Sequence, residues 1–194
     1  MGMLERIKGL LIDPEGEWAL IEAQRPSVLD IYRSYVLPLA LIPPFASFLG
    51  GYFFGFGRPT LEVAHLTFWG GLLRAGLQYA LSLPLLFLIA FLLSSLAPHF
   101  DGKSDDRRAM ALTAFSYTPV WLASLFGLVP GLRWLDILGL YGIYVFYHGV
   151  TRMLRCPKDN VDVLTLVALA AAIAAATLHG WLVHLLAPWR AVAL

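Results

Sequence analysis

The chain has 194 residues, 59% of them hydrophobic and 14% charged, against roughly 45–50% and 25% in a typical soluble domain. So apolar a chain cannot hide its surface around one water-soluble core, and its mean hydropathy of +0.71 points to a bilayer as the solvent. A net charge of +1 offers no basic field, which excludes nucleic acid as a partner.

The opening residues carry Glu5, Arg6, Lys8, Asp13, Glu15, Glu17 and Glu22, a pattern at odds with a cleavable signal peptide. Leu4, Ile7, Leu10 and Leu11 share one helical stripe with Glu5, Arg6 and Lys8 opposite, which predicts a short amphipathic helix in the headgroup plane. Asp13-Pro14 reads as an N-cap with proline at the first helical position, opening a second helix with Trp18 and Ile21 on one face. Arg25-Pro26 ends it, and Ser27 with Asp30 caps the next. Residues 1–34 are therefore expected to form a cytoplasmic, amphipathic helical lead-in.

Five stretches meet the requirement of about 20 apolar residues per membrane helix: 35–56, 77–97, 109–129, 132–154 and 161–187. The predicted fold is an all-α membrane protein, a five-helix transmembrane bundle over 35–187 with an external tail at 188–194. Ten of the fourteen Lys and Arg residues fall in 1–34, 98–108 and 152–160, so these segments are expected in the cytoplasm and the C-terminus outside it.

Proline interrupts each of the first three spans, as Pro43-Pro44, Pro84 and Pro119. Each removes a backbone hydrogen bond and frees a carbonyl that must find another donor. Arg74 and Asp136 lie near the external ends of spans two and four, a candidate polar pair that would snorkel or bond to each other. Gly51 and Gly55 form a GxxxG in span one, and Ala168, Ala172, Ala176 and Gly180 recur every four residues in span five, faces suited to close packing within the bundle or between copies.

Tyr141, Tyr144 and Tyr147 recur at steps of three in span four beside His148, and Tyr117 of span three is placed to meet them. Such a stripe suits interhelical packing, or a pocket for a lipid headgroup or small ligand. The chain carries no HExxH, GxSxG, Walker or GxGxxG motif and no carboxylate pair in a span. Its five histidines are scattered and its one cysteine, Cys156, has no second thiol, so no metal or cofactor is expected. Ser116 and His148 are the only conceivable nucleophile and base, and no catalytic residue is assigned.

Phe115-Ser-Tyr-Thr-Pro-Val-Trp-Leu-Ala-Ser124, Leu128-Val-Pro-Gly-Leu132, Leu138-Gly-Leu-Tyr-Gly-Ile-Tyr-Val-Phe-Tyr-His-Gly149 and Cys156-Pro-Lys-Asp-Asn160 follow one another in that order, after Tyr35-Val-Leu-Pro-Leu-Ala-Leu-Ile-Pro43. Over roughly residues 30 to 187 this series resembles the bacterial branch of the Yip1 family. The resemblance implies five spans with a cytoplasmic N-terminus, in agreement with the charge count. Eukaryotic relatives act in early secretory and Golgi traffic, binding Rab GTPases and one another without known catalysis. Asp30-Ile-Tyr32 is similar to their D-L-Y-G-P element, but Arg33-Ser34 replaces Gly-Pro and argues against a Rab-type partner.

Together, the motif residues and the aromatic stripe mark one candidate functional face: Tyr117, Pro119, Tyr141, Gly142, Tyr144, His148 and Gly149. The expected function is that of a non-enzymatic protein of the bacterial inner membrane that organises or adapts membrane proteins or lipids. Its expected partners are membrane lipids, itself or other membrane proteins. The alternative is a small permease or channel for a lipid-like or small neutral solute, built on the Pro-broken spans and the Tyr141/Tyr144/His148 face.

Overall fold

A computed structural model describes residues 2–55, 65–187 and 191–192. Among them the chain forms seven helices: α1 (Met3–Ile12), α2 (Pro14–Gln24), α3 (Val28–Phe53), α4 (Phe68–Phe100), α5 (Asp106–Leu128), α6 (130–153) and α7 (Lys158–Leu186). Residues His65–Leu66 pair antiparallel with Ala191–Val192, within the expected external tail. The starts follow the capping residues. Asp13 accepts from the Gly16 amide, Ser27 from Asp30, Thr67 from Gly70 and Asp105 from Arg108, at 3.1 to 3.2 Å.

Four of these helices, α3, α4, α5 and α7, are long and apolar enough to cross a membrane. The expected fourth span, 132–154, is helical but does not reach that apolarity, because α6 carries Arg133, Asp136 and Arg152 among its tyrosines and glycines. Its first part, Pro130–Leu140, is a 3-10 helix. With about 2.0 Å of rise per residue there and 1.5 Å beyond, α6 reaches about 40 Å. Length suffices for a crossing; composition sets α6 apart. Residue 56 of the expected first span lies outside the described residues.

The interrupting prolines act differently. Pro43 and Pro44 open the second half of α3 after a break at Ala40-Leu41. Pro84 is carried inside a continuous α4. Pro119 splits α5 at Tyr117, and the Phe115 carbonyl it would otherwise bond accepts instead from the Thr118 hydroxyl at 2.7 Å. That hydroxyl's proton is thereby used, so the Tyr35 phenol 2.7 Å away donates to Thr118 Oγ1. The residue before the proline repairs the break that the proline makes.

Helix α5 is the centre of the bundle: 67% of its most apolar stretch is buried, against 22% for that of α7. Leu112, Ala114 and Phe115 meet Tyr35 and Val36 of α3, Ile89 and Leu93 of α4, and Val145 and Val150 of α6 in one core. The lead-in joins this core. Leu10, Trp18 and Ile21 are buried in it, and α1 folds back along α2. The expected orientation of α1 is corrected accordingly. Arg6, assigned to the polar face, is buried, whereas Leu4 and Ile12 are 75% and 72% exposed. The reason is a counter-charge on α2, where Glu17 meets the Arg6 guanidinium at 2.5 Å.

Of the expected GxxxG pair, only Gly51 lies within α3, where it is buried. Gly55 lies beyond the end of α3 at φ 70°, a left-handed terminating position that glycine takes without strain. A close approach is made at Gly50, where an added Cβ would stand 2.8 Å from the Gly127 carbonyl oxygen. Gly50→Ala is expected to destabilise the protein by about 1–3 kcal/mol, as overpacking does. Gly76→Ala, with open space around its Cβ, should be neutral or stabilising in thermal unfolding of the detergent-purified protein.

Candidate functional site

The α6 part of the candidate face is a dock for the chain's own N-terminus. Trp18 is fully buried against it, and its indole Nε1–H donates to the Val145 carbonyl at 2.9 Å. The ring fits because residue 149 is glycine. A Cβ there would stand 2.6 Å from the indole and 2.5 Å from Leu112. Gly142 does the same one face over, where a Cβ would be 2.6 Å from the Ser116 carbonyl of α5. The two glycines of α6 thus admit the indole of α2 on one side and the backbone of α5 on the other.

Around this notch the hairpin is fastened along its length. Tyr141 donates its hydroxyl to the Leu11 carbonyl at 3.1 Å, and His148 Nε2 lies 3.5 Å from Glu15. At the other end of α2, Arg108 bonds Glu22 at 3.2 Å. From Glu22 to Asp13 is nine residues, about 14 Å of helix, so the Asp13-Pro14 turn stands well down the side of α6. The Arg6 guanidinium joins Glu17 to the Gln24 amide oxygen and lies 5.4 Å above the Phe115 ring. Trp18 and Tyr35 both set their ring edges to Phe115, at centroid distances of 6.2 and 4.7 Å.

Tyr117 does not join the α6 stripe in this arrangement. It pairs with Trp121, centroids 6.0 Å apart, and lines a groove on another side of α5. Pro119 is buried. Tyr144 stacks between Tyr141 and His148 at 5.2 and 4.2 Å and remains 48% exposed. The Ser116 hydroxyl is buried with no hydrogen-bond partner, so it does not touch His148.

The groove has two connected parts that share Pro43, Gln78 and His179. A polar mouth of about 290 Å³ holds both members of the candidate pair, Arg74 and Asp136, together with Arg133. Arg74 donates to the Ala187 carbonyl at 2.8 Å. An apolar part of about 190 Å³ runs past Leu85, Leu86 and Ile89 to Tyr117 and Trp121. Along α4 the distance from Gln78 to Ile89 is about 16 Å, close to half of a hydrocarbon core of about 30 Å. The small-residue stripe of α7 divides between packing and this opening. Ala168 is buried and Ala172 half-buried, whereas Ala176 and Gly180 line the groove.

The Cys156-Pro-Lys-Asp-Asn160 segment clasps the turn between α4 and α5. The Cys156 thiol and the Asn160 amide donate to the Phe100 carbonyl at 3.2 and 3.3 Å, and Asn160 also bonds Asp101 at 2.9 Å. Burial pushes the Cys156 thiol above its ordinary pKa, and the Asp101 carboxylate adds to the shift.

Sequence reasoning placed Trp18 on the correct face of α2 but missed Arg6, Glu17 and Gly50, whose partners are fixed only when helices meet. Thr118 was missed as well, although a hydroxyl just before a membrane proline is the local signal that could have found it.

The Yip1 domain family model matches residues 8–179. The chain is 25% identical over 162 residues to "Inner membrane protein YohC" of Escherichia coli strain K12, covering 81% of this chain and 83% of that protein. The same values hold for the protein of that name in Escherichia coli O6:H1. No solved structure matches the chain.

Trp18→Ala, or Gly149→Leu, is expected to release the hairpin while the bundle remains folded. Trypsin should then cleave after Arg6, which is buried while the hairpin is seated, far faster than in the unaltered protein, with far-UV helicity falling by no more than the share of α1 and α2. Cys156 is expected to react slowly with maleimide at neutral pH. Its thiolate fraction rises as pH climbs, so labelling should accelerate above the ordinary thiol range and sooner in Asp101→Asn.

Proposed function

The chain belongs to the Yip1 family, and from that premise we propose a non-enzymatic, multi-pass protein of the bacterial inner membrane that organises or adapts membrane proteins or lipids. Its topology is five spans with the N-terminus in the cytoplasm. Three features support this topology. The reach of α6 suits a crossing. The segments 22–25, 101–108 and 152–160, which hold seven of the fourteen Lys and Arg residues, meet at one end of the bundle, through the Glu22–Arg108, Lys103–Leu154 and Asp101–Asn160 bonds. The relatives named above are described as inner membrane proteins.

The observation that carries the reading is the groove along α4 and α7. It is open and amphipathic, and it is flanked by Ala176 and Gly180, small residues that let a neighbouring helix or acyl chain approach the backbone. A protein that meets other membrane components needs such an unfilled face, and α7, little buried by its own chain, provides it. A photo-crosslinking residue at Gly180, activated in native membranes, is expected to give reproducible adducts that Ala176→Leu diminishes. A protein recovered only as an isolated monomer, with no reproducible lipid or protein adduct, contradicts the proposal. Gly55 is unsuited to this test, because its substitution strains a turn.

A permease or channel for a lipid-like or small neutral solute is a second reading, favoured by the position of the groove at Pro43, Pro44 and Tyr117 of the interrupted spans. Past Ile89, however, α4 is buried at Ala90, Leu93 and Ser94, and the α6 tyrosines lie on the hairpin side. Solute flux above background in protein-loaded liposomes would favour this second reading over the first.

A further inference from the structure

At the end of the bundle where segments 22–25, 101–108 and 152–160 meet, the close of α2, the turn before α5 and the end of α6 border an open cleft of about 320 Å³. Five cationic side chains line it, Arg25, Lys103, Arg107, Arg108 and Arg155. Against them stand two carboxylates, Glu22 and Asp105, and Arg108 answers both, at 3.2 and 3.4 Å. Its Nη1 also donates to the Arg152 carbonyl at 3.1 Å. Among the described residues, the other four cations make no side-chain hydrogen bond or ion pair. Concave walls focus the field of such an excess on whatever enters.

The backbone supplies an independent observation. Arg25 and Arg155 each follow a helix end, with φ of 45° and 52°. That left-handed conformation costs an L residue steric energy that glycine avoids, which is why glycine is the common terminator there. Twice, on separate helices, the sequence places a guanidinium where glycine would end the helix with less strain, and both arginines line the same cleft. Strain retained at a concave site points to a role beyond ending a helix.

We propose that this cleft binds a phosphate-bearing anion, held by Arg25 and Arg155 with Lys103 and Arg107 completing the charge. Guanidinium groups present paired N–H donors that match phosphate oxygens, and the charge excess is more than one carboxylate would neutralise. The volume is at the small end of ligand pockets, which suits a headgroup or a compact phosphate ester. Glu22 and Arg25 belong to the hairpin, while Arg155 follows the helix it docks on, so an occupant also fastens α2 to α6. This site is independent of the groove and of the organising role proposed above.

The test uses the full chain in phosphatidylcholine nanodiscs, with phosphatidylglycerol added in one arm and inorganic phosphate in the other, and bound species read by native mass spectrometry. The key variant is Arg25→Gly/Arg155→Gly, which removes two charges while relieving both backbone positions, so its thermal stability should equal or exceed that of the unaltered protein. Retention of phosphatidylglycerol over phosphatidylcholine, weakened about tenfold per arginine in the variant, identifies a lipid headgroup as the source. Saturable retention of inorganic phosphate with the same loss identifies a soluble phosphate compound. Retention of neither anion, or retention unchanged in the folded variant, overturns the proposal, because the arginines then serve only as helix ends.

Discussion

An indole in a notch made by a missing side chain holds this architecture together. Trp18 reaches the core only because Gly149 presents bare backbone, and Val145 offers the carbonyl that satisfies its N–H. A buried tryptophan without that partner would leave a polar group unsatisfied in an apolar setting. Once the ring is seated, the other fastenings follow from position. Glu17 lies one residue before it and meets Arg6, Glu15 lies near His148, and Leu11 comes under Tyr141. The pair of Arg6 and Glu17 adds specificity more than stability, since burying both charges offsets much of their attraction. Removing one partner alone would cost about 3–5 kcal/mol.

The second constraint is the membrane's demand that every backbone group find a partner within the protein. The proton path from Tyr35 to Thr118 to the Phe115 carbonyl shows how a break in one helix is closed by a side chain of the same helix and supported by another. It also fixes α3 against α5 at the level of Phe115, the ring on which Trp18, Tyr35 and Arg6 converge. Hairpin, proline break and central helix therefore share one residue. By contrast, the far half of the bundle is left open where Ala176 and Gly180 have no bulk to close it.

Much of this was legible in the sequence where local rules decide. Asp13-Pro14 and Ser27 act through atoms within a few residues of themselves, and the helix starts follow them. The apolar runs of α3, α4, α5 and α7 were equally plain, while α6 was marked as a span although its composition falls short. What could not be read were pairings between helices. Arg6 looked like a surface charge because its counter-charge is eleven residues away on another helix. The Gly51/Gly55 spacing suggested a packing face, but it did not reveal the approach of Gly50 to the Gly127 carbonyl, which depends on how α3 meets the 124–128 turn. On α6, the packing of Trp18 against Gly149 was visible only once the hairpin was in place.

The central claim is that the N-terminal hairpin is a fixed part of the folded bundle, seated on α6, and does not float in the headgroup plane. Hydrogen–deuterium exchange of the protein in nanodiscs tests this most directly. If the account is right, the amides of Glu17 to Ile21 exchange as slowly as those at the centre of α5, around Leu112 to Phe115. Exchange there as fast as in the 101–105 turn would contradict it.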